Sequence, residues 1–302
     1  MHRALLSFPL LALVAGCDLS TPFESQVAKR PAGISTERLS FGGLERSYLL
    51  VVPKNPKPGP LPVVIALHGV TSNAATMAAI TEIQRYADRD GFIGLVPNGS
   101  GSLSGWNAGW IDLTGRKADD VGFVRTILDR TEGEFSVDKR RVFVLGHSNG
   151  AFLANAVAAD LGSRVAAFAS VAGSIGLKNG TRIPEPKAPV SALFIHGLAD
   201  TVVSYDGSVQ ALISPVSAPD TAAFWAKADG AKSPPTKSDY ASGNAVITLY
   251  PKGRDGTEVE LITTKRGLHD FPGAPTRRGR ESLHGIVAMD EILKFFAAHP
   301  HR

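Results

Sequence analysis

One cysteine, three methionines and three tryptophans among 302 residues set the first limits on this chain. The cysteine is Cys17, close to the N-terminus, so no disulfide can staple the interior and burial must stabilise it instead. No cluster of histidines, cysteines and carboxylates has metal-ligand spacing, no glycine-rich loop is built to cradle phosphate, and no cofactor is called for. Neither sign of charge dominates. The 32 lysines and arginines against 28 acidic residues leave a net charge of +4, too little for a nucleic-acid footprint. The one basic cluster, Arg277-Arg278-Gly279-Arg280, reads as a solvated loop. Internal repeats and low-complexity linkers are absent after about residue 40. What remains, 43% hydrophobic and 20% charged, is the composition of a globular protein long enough for one large domain or two small ones.

The N-terminus is set apart from that fold. His2 and Arg3 precede an apolar stretch, Ala4 to Ala15, too short to span a bilayer. It closes on Val14-Ala15-Gly16-Cys17, which resembles a bacterial lipoprotein signal. That resemblance implies lipidation of Cys17, export, and membrane attachment through the lipid alone; a plain secretory signal is the alternative. The expected organisation is a signal peptide over 1–16, a flexible polar tether over 17–38 carrying Pro22 and Pro31, and one folded domain over 39–302.

Beyond the tether, strand and helix patterns alternate. Leu39 to Val52 predicts one or two antiparallel strands, and the continuous apolar run Leu61 to Leu67 a buried parallel strand. Helical spacing follows over Ala74 to Asp88, Asp119 to Glu132 and Ala151 to Leu161, with a further helix over Ala222 to Ala228. Strands are predicted at Phe92 to Val96, Arg141 to Leu145, Val165 to Val171 and Val190 to Ile195. Val246 to Tyr250 and Val259 to Thr264 should pair with each other, and Glu281 to Ala298 should close the chain as a helix. The alternation predicts an α/β fold: a mostly parallel central sheet with helices on both faces. Ligand sites in such sheets lie at the carboxyl ends of the strands.

Gly146-His147-Ser148-Asn149-Gly150 sits between a strand pattern and a helix pattern, the context of a nucleophile elbow. A serine hydroxyl needs a base, and the base needs an orienting acid. In α/β-hydrolases the chain order is serine, acid, histidine. Asp200, in the loop after the Val190 strand, fits the acid; Asp206 is the rival, farther from the strand end. His269, after the Val259 strand, fits the base. His284 falls in the predicted final helix, and His68 and His196 sit in strand-end motifs with structural purposes. The backbone amides of Asn149 and Val70, with Gly69 as runner-up to Val70, are the expected oxyanion donors. Asp119 and Asp120 look like paired carboxylates, although a helix N-cap explains them better. Trp106 and Trp110 lie in a long loop beside the expected site, as an aromatic substrate wall or as buried anchors.

Together, Leu67-His68-Gly69, Trp106-Asn107-Ala108-Gly109, Asp119 to Phe123, the elbow, His196 to Asp200 and His269-Asp270-Phe271-Pro272-Gly273 resemble the feruloyl esterase and polyhydroxybutyrate depolymerase-like esterases of the α/β-hydrolase superfamily. The resemblance runs from about residue 39 to residue 298. It implies a serine esterase acting on a small or polymeric carboxylic ester. Phe271 stands where the family often has tryptophan, a change in the expected substrate-pocket wall, and the disulfides many members carry near the site cannot form here. Feruloyl esters are the first expected substrate. Polyester depolymerisation and acetyl xylan hydrolysis stay open, with a peptidase or a non-catalytic binding lipoprotein behind them.

Overall fold

The computed structural model describes residues 30–109, 117–177, 183–208, 215–275 and 284–301. Cys17 with the segments predicted as signal and most of the tether, Trp110, and the basic cluster at 277–280 lie outside the described residues. In chain order the first elements are β1 (Gly33–Phe41), β2 (Leu44–Val52), β3 (Leu61–Leu67), α1 (Ala74–Thr81), α2 (Ile83–Asp90), β4 (Ile93–Pro97), α3 (Asp120–Glu134), β5 (Val137–His147) and α4 (Asn149–Asp160). They are followed by β6 (Ala167–Val171), β7 (Ser191–Gly197), α5 (Ala218–Ala228), β8 (Thr236–Tyr240), β9 (Ala245–Tyr250), β10 (Val259–Thr264) and α6 (Ala288–Ala298).

The strands form one sheet in the order β1-β2-β4-β3-β5-β6-β7-β10-β9-β8. Six central strands, β4 to β10 in that order, run parallel. Antiparallel pairs close both edges, β1 with β2 on one side and β9 with β8 on the other. This is the α/β-hydrolase arrangement.

Period-two alternation in β3 shows why both faces are covered. Val63, Ile65 and Leu67 enter a core shared with α3, α4 and α5, while Val64 and Ala66 enter a core shared with α1, α2 and α6. Each large aliphatic side chain fully buried this way contributes roughly 1.5–3 kcal/mol. A strand apolar on both faces is therefore a central strand, and β3 is one.

Several boundaries differ from the sequence expectation. β1 starts at Gly33, inside the segment read as tether, because its register with β2 runs on to Val52. The helix predicted over Ala74 to Asp88 is two: Glu82 adopts φ 47°, its amide closes α1 on the Ala79 carbonyl, and α2 restarts behind it. The closing helix begins at Ala288, whose amide donates to the Pro272 carbonyl. His284 is therefore not helical, which corrects its predicted place.

Asp229, just past α5, is buried at 1% exposure. Its Oδ1 accepts from the Val190 amide at 3.2 Å, and its Oδ2 has no partner. Burial pushes its pKa from 3.8 up to about 7, against the Val190 amide, Thr257 and Arg254. The folded state therefore binds this proton more tightly than the unfolded chain. The resulting stability is fully present below the unfolded value and is lost as pH rises through about 7. Asp229→Asn should remove a loss of up to about 1.4 kcal/mol per pH unit across that window. Denaturant melts of both proteins at pH 5 and pH 8 check this; an unchanged pH dependence in the variant would contradict it.

Candidate active site

β5 carries the chain to His147, and α4 begins at Asn149, leaving Ser148 alone at the turn with φ 54° and ψ −122°. A non-glycine residue there stores strain of order 1–3 kcal/mol. Packing enforces it. A Cβ on Gly146 would lie 2.1 Å from the Gly150 carbonyl oxygen, and one on Gly150 would lie 2.2 Å from the Leu67 carbonyl oxygen. Both glycines are required by the close approach of β3, β5 and α4. The Ser148 amide donates to the Val171 carbonyl at 2.9 Å, tying the turn to the end of β6.

The loops after β7 and β10 meet at a second close approach, where a Cβ on Gly197 would lie 2.3 Å from the Gly267 backbone. The Ala199 amide donates to the Gly267 carbonyl at 2.9 Å. This crossing sets Asp200 beside His269. His269 Nδ1 lies 2.9 Å from Asp200 Oδ2, and His269 Nε2 lies 2.8 Å from Ser148 Oγ. With Nδ1–H donating to the carboxylate, Nε2 is left as the acceptor for the serine hydroxyl.

Asp200 is buried, which by itself would raise its pKa. Hydrogen bonds from His196 and His269 and from the Val203 amide outweigh burial and hold the carboxyl well below the usual carboxylate range. Its second oxygen accepts from the Val202 and Val203 amides, both at 2.9 Å. His196 Nε2 donates to the Val203 carbonyl at 2.8 Å and lies 3.4 Å from Asp200 Oδ2, bracing the same loop. The rival acid Asp206 is turned away onto the Ser204 hydroxyl and the Ser208 amide.

Nothing in the sequence singles out His147 beyond its place in the elbow. Its ring centre lies 5.4 Å from that of His269 and 6.1 Å from that of Phe271. Burial, and then the neighbouring His269, push its pKa down to about 4. A neutral His147 adds no repulsion when a positive charge develops on His269.

The Asn149 amide opens α4 and has no preceding helical carbonyl to bond, so it is available beside Ser148. On the other side, a Cβ on Gly69 would lie 3.3 Å from Ser148 Cβ, and Val70 follows along the cavity wall. His68 fixes this strand end. Its Nε2 accepts from the Gly99 amide at 2.9 Å, so Nδ1 carries the proton and donates to the Gly69 carbonyl at 2.7 Å.

Trp106 is not a substrate wall. It is fully buried; its indole donates to the His68 carbonyl at 2.7 Å, and its amide donates to Asn149 Oδ1 at 2.8 Å. Of the two readings, the buried anchor is the one the geometry fits: Trp106 is an internal strut between the His68 and Asn149 segments. Phe271 does line the cavity. Asp119 caps α3 by accepting from the Gly122 amide at 2.7 Å, as the N-cap reading requires, whereas Asp120 forms a buried ion pair with Arg46.

The cavity beside Ser148 encloses about 570 Å³. Val70, Ile80, Val202, Phe271 and Ala274 give it a mostly apolar lining, and Thr71, Ser72, Thr76, Asp270 and His284 add polar groups. Another cavity, of about 440 Å³, lies at the amino ends of β5, β7 and β10, away from Ser148.

Comparison with known proteins agrees with this architecture. The chain is 28% identical over 163 residues to the bifunctional acetylxylan esterase/xylanase XynS20E of Neocallimastix patriciarum, covering 54% of this chain and 22% of that protein. It is 28% identical over 172 residues to feruloyl esterase C of Emericella nidulans, covering 54% of this chain and 58% of that one. In both cases the chain spans less than two thirds of its relative's length. The acetyl xylan esterase of Aspergillus awamori shares the fold, with a TM-score of 0.63 at 16% identity over 87% of this chain and 99% of that one. The family model described as Esterase PHB depolymerase matches residues 46–218, more than half of the chain, including Ser148 and Asp200. The chain therefore belongs to the esterase PHB depolymerase family.

Proposed function

We propose that this protein is a serine esterase that hydrolyses carboxylic esters through Ser148, His269 and Asp200. One observation carries the reading: the unbroken hydrogen-bond relay from the Asp200 carboxylate through His269 to Ser148 Oγ, at 2.9 Å and 2.8 Å. His269 Nε2 takes the serine proton as Oγ attacks the ester carbonyl. The Asn149 and Val70 amides receive the oxyanion, aided by the N-terminus of α4. Collapse expels the alcohol, protonated by His269, and leaves an acyl-serine. Water then gives a proton to His269 and attacks the acyl carbon; as the second tetrahedral intermediate collapses, His269 returns that proton to Ser148 Oγ and the acid is released. Asp200, held ionised, stabilises the imidazolium in both half-reactions. The residues Val14 to Cys17 support export with a lipid anchor at Cys17 as part of the same reading.

Esters of an aromatic acid, as in feruloyl esters, are the substrate class we favour. The cavity volume falls in the range of about 300–1,000 Å³ that accommodates drug-sized ligands, and it exceeds what an acetyl group needs. Its apolar lining suits an aromatic ring. Acetylated xylan is the second reading, favoured by the similarity to an acetylxylan esterase. Hydrolysis of methyl ferulate, short-chain nitrophenyl esters, acetylated xylan and poly(3-hydroxybutyrate), assayed side by side, tests both. The highest kcat/KM is expected on methyl ferulate; a preference for acetylated xylan moves the assignment to the second reading, and no turnover of any of these esters overturns the esterase reading.

A further inference from the structure

We infer that Ser104 is a positioning residue for ester hydrolysis: its hydroxyl and the Leu103 carbonyl hold the turn Gly69-Val70-Thr71-Ser72 in the conformation that aims the Val70 amide at the developing oxyanion. The inference rests on the esterase reading and deepens it, by naming what keeps one oxyanion donor in place.

The turn is strained. The Ser72 amide donates to the Gly69 carbonyl at 3.3 Å and closes it. Thr71, its third residue, has φ 60°. Glycine is the usual occupant of such a position, and a β-branched residue there is an outlier because its side chain crowds the backbone. Left alone, the threonine would pull the turn back toward negative φ. Two bonds from one neighbouring segment oppose that pull. The Thr71 amide donates to the Leu103 carbonyl at 2.8 Å, and Ser104 Oγ donates to the Ser72 carbonyl at 2.7 Å. They fix the peptide groups before Thr71 and after Ser72.

The gripping segment is itself braced. Ser100 and Gly105 exchange both backbone hydrogen bonds, at 3.0 and 3.1 Å, and a Cβ on Gly99 would lie 2.6 Å from the Gly105 carbonyl oxygen. Its ends are tied to His68, by the Gly99 amide on Nε2 and by the Trp106 indole on the carbonyl. Ser104 sits at φ 45°, a second non-glycine residue at positive φ. Strain of this kind persists only where the surroundings enforce it, and it concentrates at functional sites.

The grip reaches the oxyanion through one peptide. The Gly69 carbonyl and the Val70 N–H belong to the same planar trans unit and point opposite ways. That carbonyl accepts from the Ser72 amide and from His68 Nδ1, so holding Ser72 helps to set the direction of the Val70 N–H. Gly69 lies against the nucleophile, where a Cβ on it would be 3.3 Å from Ser148 Cβ. Ser104 itself does not line the Ser148 cavity and acts only through the turn.

Ser104→Ala should lower kcat and kcat/KM together by about tenfold or more on nitrophenyl acetate, with KM within about twofold, because the donor it aims acts in the transition state. Phenylboronic acid bonds to Ser148 Oγ as the serine proton passes to His269, and becomes a tetrahedral anion. It should bind the variant more weakly by a similar factor. Thr71→Gly removes the strain that the grip opposes. On that background Ser104→Ala should cost about threefold or less, whatever Thr71→Gly costs alone. Thermal melts set an assay temperature at which all variants are folded. A Ser104 that merely stabilised the fold would lower the melting temperature and leave kcat and boronate affinity of the folded protein unchanged. That result, a loss confined to KM, or the same fold-loss on both backgrounds would overturn the inference and leave the esterase reading standing. A wild type that turns over no ester would instead overturn the esterase reading and this inference with it.

Discussion

Ser148→Ala is expected to lower kcat for ester hydrolysis by about 10⁴–10⁶-fold while leaving the fold intact. The size of the loss follows from the role proposed for the hydroxyl. Without Oγ there is no acyl-enzyme, and only binding and the oxyanion donors remain to accelerate attack by water. The fold should persist because alanine fits the space: the turn is set by the glycines on either side and by the Ser148 amide on the Val171 carbonyl, neither of which needs the hydroxyl. His269→Ala should cost about as much, and the double variant little more than either alone, because residues that act as a unit are not additive. Steady-state kinetics on nitrophenyl acetate, with melts as the control for folding, measure all three. Independent, multiplying losses would break the unit into separate contributions and with it the assigned relay.

The site was legible where chemistry and steric crowding are both local. Gly146 and Gly150 mark the elbow because a side chain at either collides with backbone, and the strand and helix patterns around them are strong. Asp200 and His269 could be named because each follows a strand whose carboxyl end faces the same rim, and the structure brings both within hydrogen-bond distance of their neighbours in the relay. Trp106 could not be placed, since a loop tryptophan gives no sign of whether its indole meets substrate or the His68 carbonyl. His284 was misplaced because the stop to the helical pattern is tertiary: Pro272 receives the first amide of α6. β8, with the sequence Thr-Lys-Ser-Asp-Tyr, has almost no apolar signal, being an exposed edge strand held by its register with β9. The start of α5 carries a signature the sequence itself displays. Ser217 accepts from the Asp220 amide at 3.0 Å, and Pro219 stands in the first turn, an ordinary N-terminal signature.

Asp120→Ala is expected to destabilise the protein by about 3–5 kcal/mol, the cost of leaving a buried charge without its partner. Arg46 Nη2 lies 2.7 Å from Asp120 Oδ1, both side chains are at most 2% exposed, and the guanidinium sits 4.0 Å over the Phe123 ring. Arg46 already has Nε and Nη1 without partners, so the Asn98 carbonyl at 3.2 Å would be its remaining acceptor. Replacing both partners with apolar residues, as in Arg46→Met with Asp120→Leu, should recover much of the loss, because the desolvation cost of the charge disappears with it. Activity should respond as well. Asp120 Oδ2 accepts from the Asn107 amide at 2.7 Å, and the adjacent Trp106 amide holds Asn149 Oδ1. Loosening Asn107 therefore disturbs the strut between the two proposed oxyanion segments. At a temperature where Asp120→Ala is still folded, kcat should fall more than KM rises, since the oxyanion forms only in the transition state. Denaturant melts and steady-state kinetics on the single and double variants separate the two effects: stability returning in the double variant while kcat stays low would assign Asp120 both roles, whereas an Asp120→Ala loss below about 1 kcal/mol would show that the ion pair does not hold β2 to α3.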